Sequence, residues 1–156
     1  MPWAKKQRKS DISIYSPDID QQLSNDLLIA SAMRNALDRA EFSMVYQPQY
    51  DLNSKRFSSV EALIRWNSSE LDRAVSPYEF IPVAEASNLI IEIGNYVIES
   101  VVRQISQWHA KGVTFERVSI NISPKQLQHP NFQQSLISCL KRYSISPQAV
   151  ELEITE

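Results

Sequence analysis

Ser59-Val60-Glu61-Ala62-Leu63-Ile64-Arg65-Trp66 decides how the chain is read. Side chains on an extended backbone alternate between two faces, so Val60, Ala62, Ile64 and Trp66 share one face and Glu61, Leu63 and Arg65 the other. One face is apolar throughout. The other holds a carboxylate and a guanidinium around a leucine. Immediately upstream, Phe42 to Tyr50 reads as a strand with Pro48 inside it, where a ladder donor is lost. Asn53-Ser54-Lys55 supplies a turn, and a link this short makes the two strands antiparallel.

Working outward, the period changes on both sides. Ile29, Met33, Ala36, Leu37 and Ala40 recur at helical steps, which predicts a helix from about Ser24. Ser76-Pro77-Tyr78-Glu79 opens a short helix to about Ala86, with Ser76 as cap, Pro77 in the first helical position and Glu79 reaching back as in a capping box. Ile90, Ile93, Val97, Val101, Ile105 and Trp108 mark a longer helix that Gly112 stops. Val118 to Ser123 alternates as a third strand, Pro124 to Tyr143 is helical with a break near His129-Pro130, and Ala149 to Glu156 alternates again. Strands separated by helices of this length predict an α/β chain with a largely parallel sheet.

In the third strand Ser119, Asn121 and Ser123 lie opposite Val118, Ile120 and Ile122. In the last, Glu151, Glu153 and Thr155 lie opposite Val150, Leu152 and Ile154. A carboxylate on a covered sheet face is costly unless it is paired or binds a cation. Glu61, Asn121 and Glu153 together make a hard-oxygen set suited to Mg²⁺ or Mn²⁺, at the strand ends where barrel enzymes place their chemistry. Each has a plainer reading. Glu61 is the kind of group found at an exposed edge, Asn121 a cap for the following helix, and Glu151, Glu153 and Glu156 a solvated acidic strand end.

The 156 residues carry 16 Lys and Arg against 18 Asp and Glu, a net charge of −2, which gives no electrostatic case for a nucleic-acid polymer as partner. The glycine-rich phosphate-binding motifs are absent from the sequence, as is any run of 18 apolar residues or a signal-peptide core. A cytoplasmic protein without a membrane segment is the expectation. Cys139 is the single cysteine and reads as a buried, inert thiol. His109 and His129 belong to no metal-ligand spacing and read as surface or capping groups.

The Glu61-Ala62-Leu63 signature with Arg65-Trp66 resembles the EAL domain family. Tyr46-Gln47-Pro48, Ser76 to Glu85, Ser119-Ile120-Asn121-Ile122-Ser123 and Glu151 to Glu156 follow in family order. The resemblance implies a modified TIM barrel whose first strand is antiparallel, and hydrolysis of cyclic-di-GMP to pGpG with Mg²⁺ or Mn²⁺. It implies Glu61, Asn121 and Glu153 as metal ligands, Arg65 on a substrate phosphate, Gln47 and Leu63 lining the substrate site, and Glu156 steadying a loop over it. Gln49 departs from the apolar residue usual in the family. The family's Asp-Asp-Phe-Gly segment, later lysine, general-base glutamate and late glutamine have no match. Residues 23–156 are therefore expected to be the N-terminal half of the barrel, a truncated domain inactive alone and prone to self-association. A noncatalytic EAL-like module binding cyclic-di-GMP or a protein is the alternative. Residues 1–22 read as a tail or linker, and Ala4-Lys5-Lys6-Gln7-Arg8-Lys9-Ser10 with Ile12-Ser13-Ile14-Tyr15 resembles the end of a GGDEF domain.

Overall fold

A computed structural model describes residues 17–154. The basic run and the GGDEF-like stretch lie outside the described residues, as does Glu156. The elements in chain order are α1 (Pro17–Met33), β1 (Phe42–Asp51), β2 (Arg56–Ser68), β3 (Arg73–Val75), α2 (Pro77–Ala86), α3 (Ile90–Ala110), β4 (Arg117–Ile122), α4 (Pro124–Leu127), α5 (Phe132–Arg142), a 3-10 turn (Pro147–Ala149) and β5 (Val150–Ile154).

The sheet runs β1-β2-β4-β5, with β3 added to the end of β2. β1 pairs antiparallel with β2, whereas β2, β4 and β5 are mutually parallel. This is the α/β arrangement with an antiparallel first strand that the spacing and the resemblance imply. Four strands were expected from the sequence. The fifth, β3, is three residues long and pairs antiparallel through Trp66 with Val75 and Ser68 with Arg73. A segment so short shows no period to read.

The helices differ from the sequence expectation only at their ends. α1 begins at Pro17 rather than Ser24, so residues 17–22 are helical. Pro17 at the first helical position, with Asp18 and Asp20 in the first turn, is a start signal that the apolar period does not register. Its α-helical part ends at Met33, and turns carry the chain to Ala40, where φ is +54°. α2 has the expected capping box, with Ser76 accepting from the Tyr78 amide and Glu79 accepting from the Ser76 amide. α3 buries Ile90, Ile93, Val97, Val101 and Ile105 and stops at Gly112, φ +73°. The break between α4 and α5 falls at residues 128–131, around Pro130.

The helix-facing side of the sheet forms the core. Ala62, Trp66, Val118, Ile120 and Ile122 are buried there in one cluster with residues of α2 and α3. Trp66 stacks on Phe42 (centroids 5.6 Å apart) and meets Phe80 of α2 edge-on at 5.6 Å. Ala149, predicted to start the last strand on an open face, instead sits in the 3-10 turn and packs against the core. No helix of the described residues is long and apolar enough to cross a membrane.

Glu41 ties the first strand to this core. Its carboxylate accepts from Trp66 Nε1 (2.9 Å), from the Ser69 hydroxyl (2.5 Å) and from the Ser69 amide (3.3 Å). Burial alone would raise its pKa, but the Ser69 and Trp66 hydrogen bonds outweigh burial and hold it below the usual value. A lowered folded-state pKa stabilises fully above the unfolded value, about 4.3 for Glu. That stabilisation is lost as pH falls through the folded value. Glu41→Gln is therefore expected to melt below the wild type at pH 7, with the difference shrinking below about pH 4. A melting difference constant from pH 7 to pH 3 would contradict this account of Glu41.

Candidate metal and substrate site

Strand register assembles the site. In the β1–β2 ladder Gln47 lies opposite Glu61, Val45 opposite Leu63 and Ser43 opposite Arg65. In the β2–β4 ladder Glu61 lies beside Ser119, and in β4–β5 Asn121 lies beside Glu153. Residues in register share a face, so Gln47, Glu61, Leu63, Arg65, Asn121 and Glu153 share one face of the sheet, opposite Ala62, Trp66, Ile120 and Ile122.

Glu61 and Asn121 are in direct contact: Asn121 Nδ2 donates to Glu61 Oε1 at 2.8 Å. The contact turns the amide nitrogen toward the carboxylate and leaves Oδ1 as the remaining polar atom of that side chain. The helix-capping reading of Asn121 is not realised. Ser123 is the cap of α4, its hydroxyl accepting from the Lys125 amide at 3.3 Å and its own amide donating to Gln126 Oε1 at 3.0 Å.

The acidic end of β5 divides between two roles. Glu151 pairs with Arg117 at 3.3 Å, next to Ser119, whereas Glu153 stands next to Asn121. All three candidate ligands are half-buried. Among the described residues no three His, Cys, Asp or Glu side chains cluster. Glu61 and Asn121 are in contact, and Glu153 is the β5 residue in register with Asn121, so the candidate set is two carboxylates and one carboxamide.

Arg65 is exposed, with Nη1 on the Ile64 carbonyl at 2.8 Å, and no ion pair among the described residues engages it. Gln47 is exposed and Leu63 half-buried. Gln49 lies opposite Ser59, one same-face step along β1 from Gln47, and its Oε1 accepts from the Ser59 hydroxyl at 2.7 Å.

Sequence reasoning missed the cavity beside these residues. A space of about 430 Å³ lies between β2, α2 and the start of α3, with Glu61 and Asn121 on its wall and a mostly apolar lining that includes Leu63, Ile64, Ile81 and Ile93. Tyr78, 94% exposed, stands on its lining as well.

The other singled-out groups lie elsewhere. Cys139 is buried, donates to Glu99 at 3.4 Å, and has its thiol pushed up to about 11, first by burial and then by Glu99, as expected of an inert thiol. His109 is exposed in the last turn of α3. His129 is exposed too, and its Nδ1 accepts from the Asn131 amide at 3.4 Å.

The EAL domain family profile matches residues 30–156. The cyclic di-GMP phosphodiesterase PA2567 of Pseudomonas aeruginosa is 34% identical over 143 residues, which cover 91% of this chain and 24% of that protein. The cyclic di-GMP phosphodiesterase PdeR of Escherichia coli is 32% identical over 153 residues, covering 98% of this chain and 23% of that protein. Among solved structures, the PaMucR phosphodiesterase in its c-di-GMP complex superposes with a TM-score of 0.77 at 31% identity, over 82% of this chain and 51% of the other. The EAL enzyme Bd1971 bound to cAMP and cyclic-di-GMP gives 0.74 at 30% identity, over 89% and 39%. The chain thus spans about a quarter of the length of these two curated relatives. With the profile, the antiparallel first strand and the Glu61–Asn121 contact in agreement, the chain belongs to the EAL domain family.

Proposed function

We propose that this chain supplies part of the active site of a metal-dependent cyclic-di-GMP phosphodiesterase, forming pGpG. The observation that carries the reading is the Asn121–Glu61 hydrogen bond of 2.8 Å, with Glu153 next to Asn121 in the ladder. Two carboxylates and an amide oxygen fit Mg²⁺ or Mn²⁺ by donor chemistry and would hold it as Glu61, Asn121 and Glu153. When bound, such an ion polarises water and the phosphate oxygens of an in-line displacement.

The chain's own groups do the rest of the positioning. Asn121 fixes the Glu61 carboxylate by donating to it. Arg65 presents a planar fork of donors suited to a phosphodiester oxygen pair. Leu63 and Gln47 flank these groups on the same face, and in this reading they line the substrate site. Glu156 belongs to the same proposal as a loop-steadying group. A cytoplasmic setting and a GGDEF domain as partner before residue 17, the latter supported by Ala4 to Tyr15, complete it. The outer edges of β1 and β5, unpaired among the described residues, support self-association of this polypeptide.

Manganese titration followed by electron paramagnetic resonance tests the site. Glu61→Ala and Glu153→Ala should each weaken Mn²⁺ binding by at least about tenfold, a loss that even outer-shell partners of metal ligands produce. Arg65→Ala should leave Mn²⁺ affinity unchanged and weaken cyclic-di-GMP binding. Mn²⁺ affinity indifferent to both glutamates would overturn the proposal.

A further inference from the structure

We propose that Glu85 is a positioning residue for Asn121, acting through the Ser123 hydroxyl. The inference rests on the metal-site reading above and adds a residue to it. Glu85 stands in the last turn of α2, which is anchored by buried Phe80, Val83 and Ala84 against the Trp66 end of β2. Its side chain turns inward, where Oε1 accepts from the Ser123 hydroxyl at 2.5 Å. Lys125 Nζ closes the same junction, donating to the Glu85 carbonyl at 2.6 Å and to Asn88 Oδ1 at 3.4 Å.

The reason this junction matters lies in the ladder. β2 and β4 are paired only from Ser59–Arg117 to Ala62–Ile120. Asn121 is one residue past the last of these pairs, so backbone pairing does not hold it beside β2. Side-chain contacts do: its own bond to Glu61, and beyond it the Ser123–Glu85 bond and the Lys125 bonds to the end of α2. Ser123 is 6% exposed, and all its polar groups are engaged, the hydroxyl by Glu85 and the Lys125 amide and the backbone amide by Gln126. Gln126 in turn fills the place of a side chain at Gly94 on α3, where a Cβ would lie 1.6 Å from its Nε2. The segment after Asn121 is therefore gripped from α2 and α3. The grip from α2 is the Ser123–Glu85 side-chain bond together with the Lys125 bond to the Glu85 carbonyl, and of the two only the first depends on the Glu85 side chain.

The test compares Glu85→Ala, Glu85→Gln and Ser123→Ala with the wild type, reading the Asn121 side-chain amide by nuclear magnetic resonance without metal, then Mn²⁺ affinity. Glu85→Ala and Ser123→Ala should shift and broaden the Asn121 Nδ2 signals and weaken Mn²⁺ binding about tenfold, the lower end for outer-shell partners. Glu85→Gln keeps an oxygen for Ser123 and should restore most of both. An Asn121 amide signal unchanged in folded Glu85→Ala and Ser123→Ala overturns the inference, whatever their melting temperatures. If the amide shifts but the wild type binds no Mn²⁺, the positioning stands and the metal reading falls. Should Glu85→Ala fail to fold, Ser123→Ala, which removes one hydroxyl, carries the same comparison.

Discussion

Trp66→Ala is expected to lower the unfolding free energy by about 3–5 kcal/mol, the range for deleting a large buried aromatic side chain. Trp66 is 1% exposed and lies where three elements meet: Phe42 of β1 stacks on it, Phe80 of α2 meets its ring edge-on, and Val75 of β3 pairs with it. Removing the indole also takes a donor from Glu41, which accepts from Nε1 at 2.9 Å. Domains typically have only about 5–15 kcal/mol to lose, so much of the chain is expected to be unfolded at 37 °C. Trp66→Phe keeps most of the apolar contact and loses the Glu41 bond, so its cost should fall well below that of alanine. Urea denaturation monitored by circular dichroism measures both. A loss under about 1 kcal/mol for Trp66→Ala would mean that α2 is not anchored on β2 in the way described.

The same residue shows why so much of the fold was legible. β2 alternates over eight residues with one face wholly apolar, and that pattern permits a single orientation against the helices. The candidate ligands followed from the same alternation, because each polar residue opposite an apolar row had to face the far side of the sheet. What alternation cannot give is stagger between strands. Nothing in the sequence states that Glu61, in register with Ser119, reaches Asn121 by a hydrogen bond, or that Glu153 lies beside Asn121. β3 was hidden by its length, and the Glu41 and Glu85 contacts by sequence separation: Glu41 to Trp66 spans 25 positions and Glu85 to Ser123 spans 38. The cavity is a product of how α2 and α3 sit over β2, which no single segment encodes. The Pro17 start of α1 was present in the sequence as Pro17-Asp18 and was missed because the apolar period begins later.

Self-association of the 156-residue chain, proposed above, is expected to appear as a mass above that of the monomer in size-exclusion chromatography with light scattering, rising with concentration. Among the described residues, β1 and β5 each have one unpaired edge. A row of free amides and carbonyls is a template for another strand. β1 is ten residues long but carries Pro48, which removes one donor, as edge strands often do. β5 is short and has no such interruption. Apolar side chains accompany both edges, with Val45 41% and Ile154 56% exposed, each worth roughly 1.5–3 kcal/mol if fully buried by a partner. Charge at these positions should oppose pairing, and Val45 and Ile154 face water already. Val45→Lys with Ile154→Lys is therefore expected to shift the chain toward monomer at equal concentration while leaving its melting temperature within a few degrees. A wild-type chain that is monomeric at all concentrations, or a double variant that associates as strongly as the wild type, would show that neither edge is the contact. The second outcome would turn attention to the exposed Leu23, Leu27 and Leu28, a cluster of apolar side chains that α1 leaves open to water.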